Sequence, residues 1–298
     1  MSKNFGDAER HIKELFKEGE RVHYNDELCT IIKACKPTCP TGEPKTDVYV
    51  LLQGETNNYE VKISIKKSNA DFLENKISSE RAKLILGPNW KSIICNSTLN
   101  INDDFNERSL VYKVKSGRTN AGSITLGWKF ELVNKLSGNL SGKMLLTPSQ
   151  ILDVYAGTNL PLDKKNSVID GDVVINSGVA NYILAGELDS FQSADNVISS
   201  IVSINDYIQS HGDIYFACKA LNYRTFESKF DGNRPLSVYV DWNVINGKLT
   251  PTLIFDNPLD TKGNEVADKL LDCLNKLNVS STNDLNDSNL SSLEFVVS

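Results

Sequence analysis

The sequence predicts an α/β (α+β) protein with a central mixed sheet flanked by helices and additional β-rich segments. Helical spacing of apolar residues near the N-terminus and an alternating β-hairpin after it predict this class. Further β-type and short helical runs along the 298 residues agree with it. Because no internal repeat or clear linker occurs, we expect one domain over residues 1–278 and a flexible tail over 279–298.

The composition is that of a globular protein with a negative net charge. Hydrophobic residues make up 40% of the chain and charged residues 23%, which suffices for a core. The net charge of −6 argues against a non-specific nucleic-acid coat, but it allows an enzyme with a local basic surface. No long apolar run or signal peptide occurs, so we expect a cytoplasmic protein without a membrane partner.

Three of the six cysteines, Cys29, Cys35 and Cys39, lie close together in the sequence. The spacing of Cys35 and Cys39 is that of half a zinc site, but no second pair of ligands follows. Reduced thiols are therefore the preferred interpretation, and zinc binding by this group is left open.

The first predicted elements are a helix and a β-hairpin. Residues 8–18 have apolar residues at helical spacing, with Asp7 as the predicted N-cap. After a loop rich in proline, the β-type runs 46–53 and 59–66 are joined by the turn-forming residues GETNN.

The register of this hairpin brings polar side chains together. The second strand alternates, with an apolar face and a polar face formed by Glu60, Lys62, Ser64 and Lys66. A turn centred on Glu55 and Thr56 places Asp47 opposite Ser64, with Lys66 one step away. We therefore expect Asp47, Ser64 and Lys66 to converge, although such alternation is also typical of a half-exposed surface strand.

A second helix is predicted from Asn69, its N-cap, to about Leu86, where a Gly-Pro pair ends it. Glu80 falls on the same side of this helix as its apolar residues, which are Leu73, Ile77 and Leu84. The negative charge of a carboxylate on a core-facing side must be compensated. The compensating group is a metal cation in a functional site or, in the ordinary case, the ammonium of Lys76 four residues earlier.

Asp47 and Glu80, with Lys66 beside them, would form a divalent-metal site for phosphodiester hydrolysis. Mg²⁺ binds one or two protein carboxylates together with waters and phosphate oxygens, and Mn²⁺ can substitute for it. Such an ion lowers the pKa of a bound water, while the Lys66 ammonium would orient that water and stabilise the transition state.

The segment GEPKTDVYV followed by ISIKK resembles the PD-(D/E)xK nuclease superfamily, and specifically type II restriction endonucleases, over residues 43–81. Asp47 matches the first acidic position, with Thr46 in place of proline. In one alignment Glu60 and Lys62 form the literal E-x-K half-motif.

In the second alignment Ser64 and Lys66 match a variant whose second carboxylate lies on the following helix. Thirteen residues lie between Lys66 and Glu80, and Glu80-Arg81 resembles the acidic-Arg step of that variant. Register, helix side and spacing favour this alignment, and the literal one stays open.

The resemblance implies a restriction-endonuclease-like core over about residues 7–90 and DNA-recognition elaborations over about 105–260. It implies a Mg²⁺-dependent, sequence-specific endonuclease on double-stranded DNA, acting as a homodimer or higher oligomer because twofold symmetry reads palindromic sites. The alternatives are a structure-selective repair, recombination or phage nuclease on this core, a non-catalytic DNA-binding protein with a decayed site, and a protein unrelated to nucleic acids.

Later segments contribute the predicted recognition surface. Residues 213–242 alternate basic and amide side chains with aromatic ones, a pattern suited to bases and phosphates, although a surface loop with Arg234 paired to Asp231 is the ordinary alternative. The predicted DNA contacts are Lys45, Arg81, Arg118, Lys219, Asn222, Arg224 and Arg234. Strands are predicted at 110–114, 123–133, 173–175 and 214–218, a hairpin at 237–255, and helices at 195–209 and 264–277.

Overall fold

The computed structural model describes residues 5–67, 72–75 and 77–298. The chain divides into two compact units: unit 1 comprises Met1–Asp71 and Leu146–Gly212, and unit 2 comprises Phe72–Leu145 and Asp213–Ser298. The predicted class, mixed α/β with sheets flanked by helices, is confirmed. The predicted functional division into a core and recognition elaborations stays a prediction.

The helices are α1 (Phe5–Glu14), α2 (Ser79–Leu86), α3 (Trp90–Leu99), α4 (Asn102–Asn106), α5 (Pro148–Ala156), α6 (Leu162–Lys165), α7 (Ala194–Ser200), α8 (Ile204–His211) and α9 (Gly263–Lys276). The strands are β1 (Arg21–Tyr24), β2 (Glu27–Cys35), β3 (Val48–Gln53), β4 (Asn58–Lys67), β5 (Phe72–Glu74), β6 (Val111–Tyr112), β7 (Ser123–Val133), β8 (Ser141–Lys143), β9 (Val168–Ile169), β10 (Asp172–Val173), β11 (Tyr182–Gly186), β12 (Val202–Ser203), β13 (Tyr215–Arg224), β14 (Lys229–Phe230), β15 (Val238–Ile245), β16 (Lys248–Ile254) and β17 (Val296–Val297).

Unit 1 is built on a mixed sheet in the order β1-β2-β3-β4-β11-β12. The first four strands form an antiparallel meander, and β11 lies parallel to β4. The apolar residues of β3 and β4 pack with Ile12 and Phe16 of α1 in one buried cluster. This burial covers the apolar face of the hairpin and leaves its polar face for the other side of the sheet.

The predicted register of the β3–β4 hairpin is confirmed. Val48 pairs with Ile63 and Gln53 with Asn58, which is the predicted register, and the regular pairing ends at Val48. The backbone N–H of Asp47 donates to the carbonyl oxygen of Ile63 at 2.8 Å. Alternation and turn composition therefore suffice to set this part of the fold.

The predicted helix over 69–86 is wrong in its first half. Residues Phe72–Glu74 form strand β5, which pairs with β7, and α2 begins only at Ser79. The Ser78 side chain caps α2 by accepting the backbone N–H of Arg81. The predicted N-cap, Asn69, lies outside the described residues. Pairing with β7 overrides the local helical spacing here.

Other boundaries differ by small amounts. The first helix spans Phe5–Glu14 instead of 8–18, and Asp7 lies in its first turn and pairs with Arg10. The predicted helix over 195–209 is two helices, because Ile201 leaves the helical conformation and Ser203 caps α8. The helix predicted over 264–277 is confirmed by α9.

Unit 2 contains a sheet in the order β14-β13-β7-β15-β16, with short strands paired to its sides. The predicted hairpin over 237–255 is confirmed by β15 and β16, whose turn residues Asn246 and Gly247 both have positive φ. Within the predicted tail over 279–298, Leu285 and Leu290 are buried and β17 pairs with β6. In the described ranges, the model contains no helix with the length and apolar character to cross a membrane.

Candidate active site

Asp47 lies directly before β3, and its backbone and side chain are both fixed by β4. Its Oδ2 accepts the backbone N–H of Ile65 at 2.6 Å, next to the 2.8 Å bond from its own N–H to Ile63. These bonds hold the carboxylate beside the strand that carries Ser64 and Lys66. Ser64 is buried, with 1% of its surface exposed.

The electrostatic environment couples Asp47 to three other charged residues. Burial raises the pKa of Asp47, the charge of Lys66 and the Ile65 hydrogen bond lower it, Glu9 raises it and Lys36 lowers it. The net result is a pKa of about 6 for this carboxyl. The structure therefore brings Asp47 and Lys66 together as predicted from the register, and it adds Glu9 and Lys36.

Glu9 is a site residue that the sequence predictions do not include. It lies on α1 with only 5% of its surface exposed, and its Oε2 is 2.5 Å from Nζ of Lys36. The spacing holds a signal for it, because Glu9 is three residues before the buried Ile12 and thus on the apolar side of the helix. The criterion that selects Glu80 also selects Glu9 once it is applied to α1.

Lys36 supplies a second cation near the two carboxylates. Burial lowers its pKa, but the hydrogen bond and charge of Glu9, followed by the charges of Glu43 and Asp47, outweigh this effect and raise it. Its Nζ also lies 3.6 Å from the carboxylate of Glu43. Lys36 thus partly compensates Glu9 and Asp47.

Glu60 and Lys62 form a separate network nearer the turn, as predicted from the register. Glu60 accepts the hydroxyl of Tyr49 at 2.8 Å and the ammonium of Lys62 at 3.2 Å. The side chain of Asn181, the residue before β11, accepts the backbone N–H of Lys62 and donates to the carbonyl oxygen of Glu60. These contacts give Glu60 and Lys62 a role in joining β3, β4 and β11.

The predicted core-facing position of Glu80 is wrong, because the helix that would create it is absent over its first half. Glu80 is exposed in the first turn of α2, in unit 2. Hydrogen bonds from the side chain of Ser78, from its own backbone N–H and from the side chain of Ser79 lower the pKa of its carboxyl. Its neighbour Arg81 pairs with Glu74 at 2.8 Å. Only the spacing after Lys66 still supports Glu80 as a metal ligand.

The segment before Asp47 is held by Gly178. The backbone N–H groups of Lys45 and Thr46 both donate to the carbonyl oxygen of Gly178, at 3.0 and 3.2 Å. The hydroxyl of Thr46 is buried and has no hydrogen-bond partner among the described residues. Gly178 therefore positions the chain that carries Asp47.

Replacing Gly178 by alanine should destabilise the protein severely. A Cβ at this position would lie 1.8 Å from the carbonyl oxygen of Lys164, which is backbone and cannot move aside cheaply. We expect a loss of about 3 kcal/mol in the free energy of unfolding, measured by denaturant titration. Gly6→Ala is the control, because its Cβ would meet nothing within 4 Å, and an equal loss there would contradict the steric explanation.

The predicted recognition residues of unit 2 are partly occupied within the fold. Asn222 is buried and its side chain binds Thr125 and Asp231. The ion pair suggested between Arg234 and Asp231 is wrong, because Asp231 pairs with Arg224 at 2.6 Å while Arg234 is exposed. Reading of bases by Asn222 therefore has no support from the structure.

Three further predicted contacts differ in their surroundings. Lys219 donates to the side chain of Ser137 at 2.8 Å, and Arg118 is exposed in a turn between β6 and β7. Lys45 is partly buried.

The cysteines are reduced thiols in this structure. Cys29 is buried, Cys35 and Cys39 are partly exposed, and the thiol of Cys39 donates to the carbonyl oxygen of Gly42 at 3.1 Å. The described part of the chain contains no group of three or more His, Cys, Asp or Glu side chains arranged to hold a metal ion.

Asp47→Asn should stabilise the protein at neutral pH in the absence of metal. The folded state raises the pKa of Asp47 from 3.8 to about 6, so stability falls as pH rises through this interval. We expect the variant to be more stable by about 1–2 kcal/mol above pH 7 and equal to the wild type below about pH 4. Thermal unfolding across this pH range measures it, and a constant difference would refute the burial of the charge.

Comparisons of the chain with protein-family models, with curated proteins and with solved structures found no significant match.

Proposed function

We propose that this chain is a Mg²⁺-dependent endonuclease that hydrolyses phosphodiester bonds in double-stranded DNA, of the type II restriction kind. The observation that carries the proposal is the electrostatic grouping of Asp47, directly before β3, with Lys66 near the end of β4 and with the buried carboxylate of Glu9 on α1. A mixed sheet flanked by helices around this grouping agrees with what the sequence resemblance implies.

The residues present fit a magnesium ion. The half-buried Asp47 carboxyl has lost solvation and Glu9 adds a second negative charge beside it, and both effects contribute to its raised pKa of about 6. A divalent cation would compensate both charges, and Mg²⁺ requires no more than one or two protein carboxylates. Asp47 and Glu9 would therefore hold the ion, which would supply an activated water and offset charge on the scissile phosphate.

The remaining chemistry belongs to side chains of the same face. The Lys66 ammonium favours the ionised form of Asp47, and in the proposed reaction it would bind a phosphate oxygen or orient a water. Burial of the surroundings strengthens both effects because a low dielectric screens charges less than water does. Glu60 and Glu80 remain candidates for the second carboxylate. All three glutamates have partners, since Glu9 binds Lys36, Glu60 binds Tyr49 and Lys62, and Glu80 is engaged by the cap of α2, but Glu9 is the one whose charge acts on Asp47.

Incubation of the protein with supercoiled and long linear DNA, with and without Mg²⁺, tests the proposal. Discrete fragments that appear only with Mg²⁺ or Mn²⁺ would support a sequence-specific enzyme. Cutting confined to ends or junctions would identify the structure-selective alternative. DNA binding and integrity that do not respond to either ion would contradict catalysis and leave a non-catalytic DNA-binding protein.

The proposal includes a homodimer or higher oligomer, because one active site cuts one strand and twofold symmetry suits a palindromic site. Sedimentation with and without a cognate duplex measures this, and a monomer on the cognate duplex would contradict it.

A further inference from the structure

The segment between α4 and the middle of β7 is unusually basic for this acidic chain. Residues 108–130 contain five basic side chains and no carboxylate, although the net charge of the protein is −6. The basic residues are Arg108, Lys113, Lys115, Arg118 and Lys129. Lys129 is paired with Glu131 and Lys113 binds a backbone carbonyl oxygen, so Lys115 and Arg118 are the charges that this segment presents to a polyanion.

The exposed part of this segment is a tight turn, residues 113–120, here named the basic turn. Ser116 and Thr119 exchange two backbone hydrogen bonds, at 3.0 and 2.9 Å, so that Gly117 and Arg118 form the tip. Gly117 has a φ of +55°, which this tip requires. Residues 114–118 are all exposed, so the turn presents Lys115 and Arg118 to solvent on a defined backbone.

Several contacts brace the base of the basic turn. The backbone N–H of Gly122 donates to the carbonyl oxygen of Tyr112 at 2.8 Å, and the Tyr112 hydroxyl interacts with the side chain of Thr119. Lys113 donates through its Nζ to the carbonyl oxygen of Leu285 at 2.5 Å. The turn is therefore fixed before any partner arrives, which reduces the entropy lost on binding.

The C-terminal segment completes this support. Strand β17 lies parallel to β6, and the backbone N–H of Lys113 donates to the carbonyl oxygen of Val297 at 2.8 Å. The carbonyl oxygen of Phe295 accepts the N–H groups of Leu110 and Val111. The last residues of the chain thus hold the strand from which the basic turn projects.

We propose that the basic turn contacts the phosphate backbone of duplex DNA through Lys115 and Arg118, and that β17 positions it. This inference rests on the proposed function and adds to it the surface of unit 2 that binds the substrate. Neither Lys115 nor Arg118 forms an ion pair with a carboxylate among the described residues, so each can pair with a phosphate without first leaving another partner. Arginine and lysine side chains at phosphates are the main source of affinity in protein–DNA complexes.

The test is DNA binding without catalysis, measured by fluorescence anisotropy with a labelled duplex in EDTA over a range of salt concentrations. We expect Lys115→Ala with Arg118→Ala to lower the affinity about tenfold near 0.1 M salt. The slope of log affinity against log salt should fall by about two, or roughly 0.9 for each phosphate that is no longer neutralised. Cognate and random sequences should be weakened equally, because phosphates carry no sequence information.

Lys83→Ala with Lys276→Ala is the matched control, because both lysines are exposed on helices of unit 2 and their replacement also removes two positive charges. The inference is overturned if the double variant binds DNA as tightly as the wild type does, or if the control loses as much affinity as the double variant. It is also overturned if the wild type does not bind duplex DNA. Binding by the wild type without any metal-dependent cleavage would contradict the nuclease proposal alone, and the double variant would still decide the role of the basic turn.

Removal of residues 296–298 tests the positioning role of β17. We expect it to weaken DNA binding severalfold while thermal unfolding remains cooperative, and to add little to the effect of the Lys115→Ala, Arg118→Ala variant. Full additivity of the two effects would show that β17 does not act through the basic turn.

Discussion

Replacing Asp47 or Lys66 by alanine is expected to lower Mg²⁺-dependent cleavage of DNA by about 10²- to 10⁴-fold. The Asp47 carboxylate is the group whose negative charge a metal ion would compensate. Among the neighbouring cations, the Lys66 ammonium lowers the pKa of Asp47 the most. Removal of Asp47 takes away a metal ligand, and removal of Lys66 takes away a cation that favours the ionised form of that ligand. Single-turnover cleavage of a supercoiled plasmid at saturating Mg²⁺ measures the change directly.

Lys62→Ala is the matched control for Lys66→Ala, because both lysines lie on the same face of β4. Lys62 pairs with Glu60 nearer the turn, so its removal should change the cleavage rate by less than about tenfold. If Asp47→Ala and Lys66→Ala cut as fast as the wild type, the site is assigned wrongly even if the protein is a nuclease. An equal fall in cleavage in all three variants would point to damage to the hairpin instead.

The pH dependence of cleavage on the acid side should be set by the ionisation of the same carboxyl group, Asp47. A metal ion binds the ionised form of Asp47, so activity should fall as pH decreases below about 6 and the fall should be smaller at higher Mg²⁺ concentrations. A pH profile at two Mg²⁺ concentrations measures this competition between proton and metal. An acid limb that does not move with Mg²⁺ would contradict the assignment of Asp47 as a ligand.

The hairpin could be predicted from the sequence because its information is local. Alternation of apolar and polar residues along β4 specifies which side chains share a face, and the turn formers between the strands specify the register. Val48 opposite Ile63 is the pairing that this pattern requires, and it brings Asp47 to the end of β4, where its carboxylate binds the N–H of Ile65 and interacts with the charge of Lys66. No information from the rest of the chain is needed.

The helix after the hairpin could not be predicted in the same way because a distant strand decides it. Residues Phe72–Glu74 have helical spacing with the residues that follow, but they pair with β7, about sixty residues later in the chain. The division into two units has the same cause, since the chain leaves unit 1 at Asp71 and returns to it at Leu146. Long-range pairing of this kind leaves no periodic signal in a short window.

The second carboxylate shows how one wrong element changes a site assignment. A buried acidic residue on an apolar helix side is the right signal, but at Glu80 it depends on a helix that the fold does not contain over its whole predicted length. Glu9 on α1 meets the same criterion, with 5% of its surface exposed, whereas Glu80 is exposed. Spacing within α1 is sufficient to find Glu9, but only the fold shows that it acts on Asp47.

Glu9→Gln is therefore expected to change the Mg²⁺ requirement of cleavage strongly. Comparison with the same substitution at Glu60 and Glu80 shows which of the three glutamates binds the metal ion. We expect this variant to need at least about tenfold more Mg²⁺ for half-maximal cleavage, because one of two charged ligands is removed. Glu60→Gln and Glu80→Gln, which make the same change of charge in residues engaged elsewhere, should need less than about threefold more. Cleavage rates across a series of Mg²⁺ concentrations compare the three variants directly.

A purely structural role for Glu9 in holding Lys36 predicts a different result. It would lower the rate without changing the Mg²⁺ requirement, and Lys36→Met would reproduce the effect. Glu9 as a ligand also predicts a shift in the pH profile, because the negative charge of Glu9 raises the pKa of Asp47. In Glu9→Gln the fall in cleavage rate on the acid side should therefore move to lower pH at low Mg²⁺ concentration. If neither this pH nor the Mg²⁺ requirement changes, the second ligand is Glu60 or Glu80.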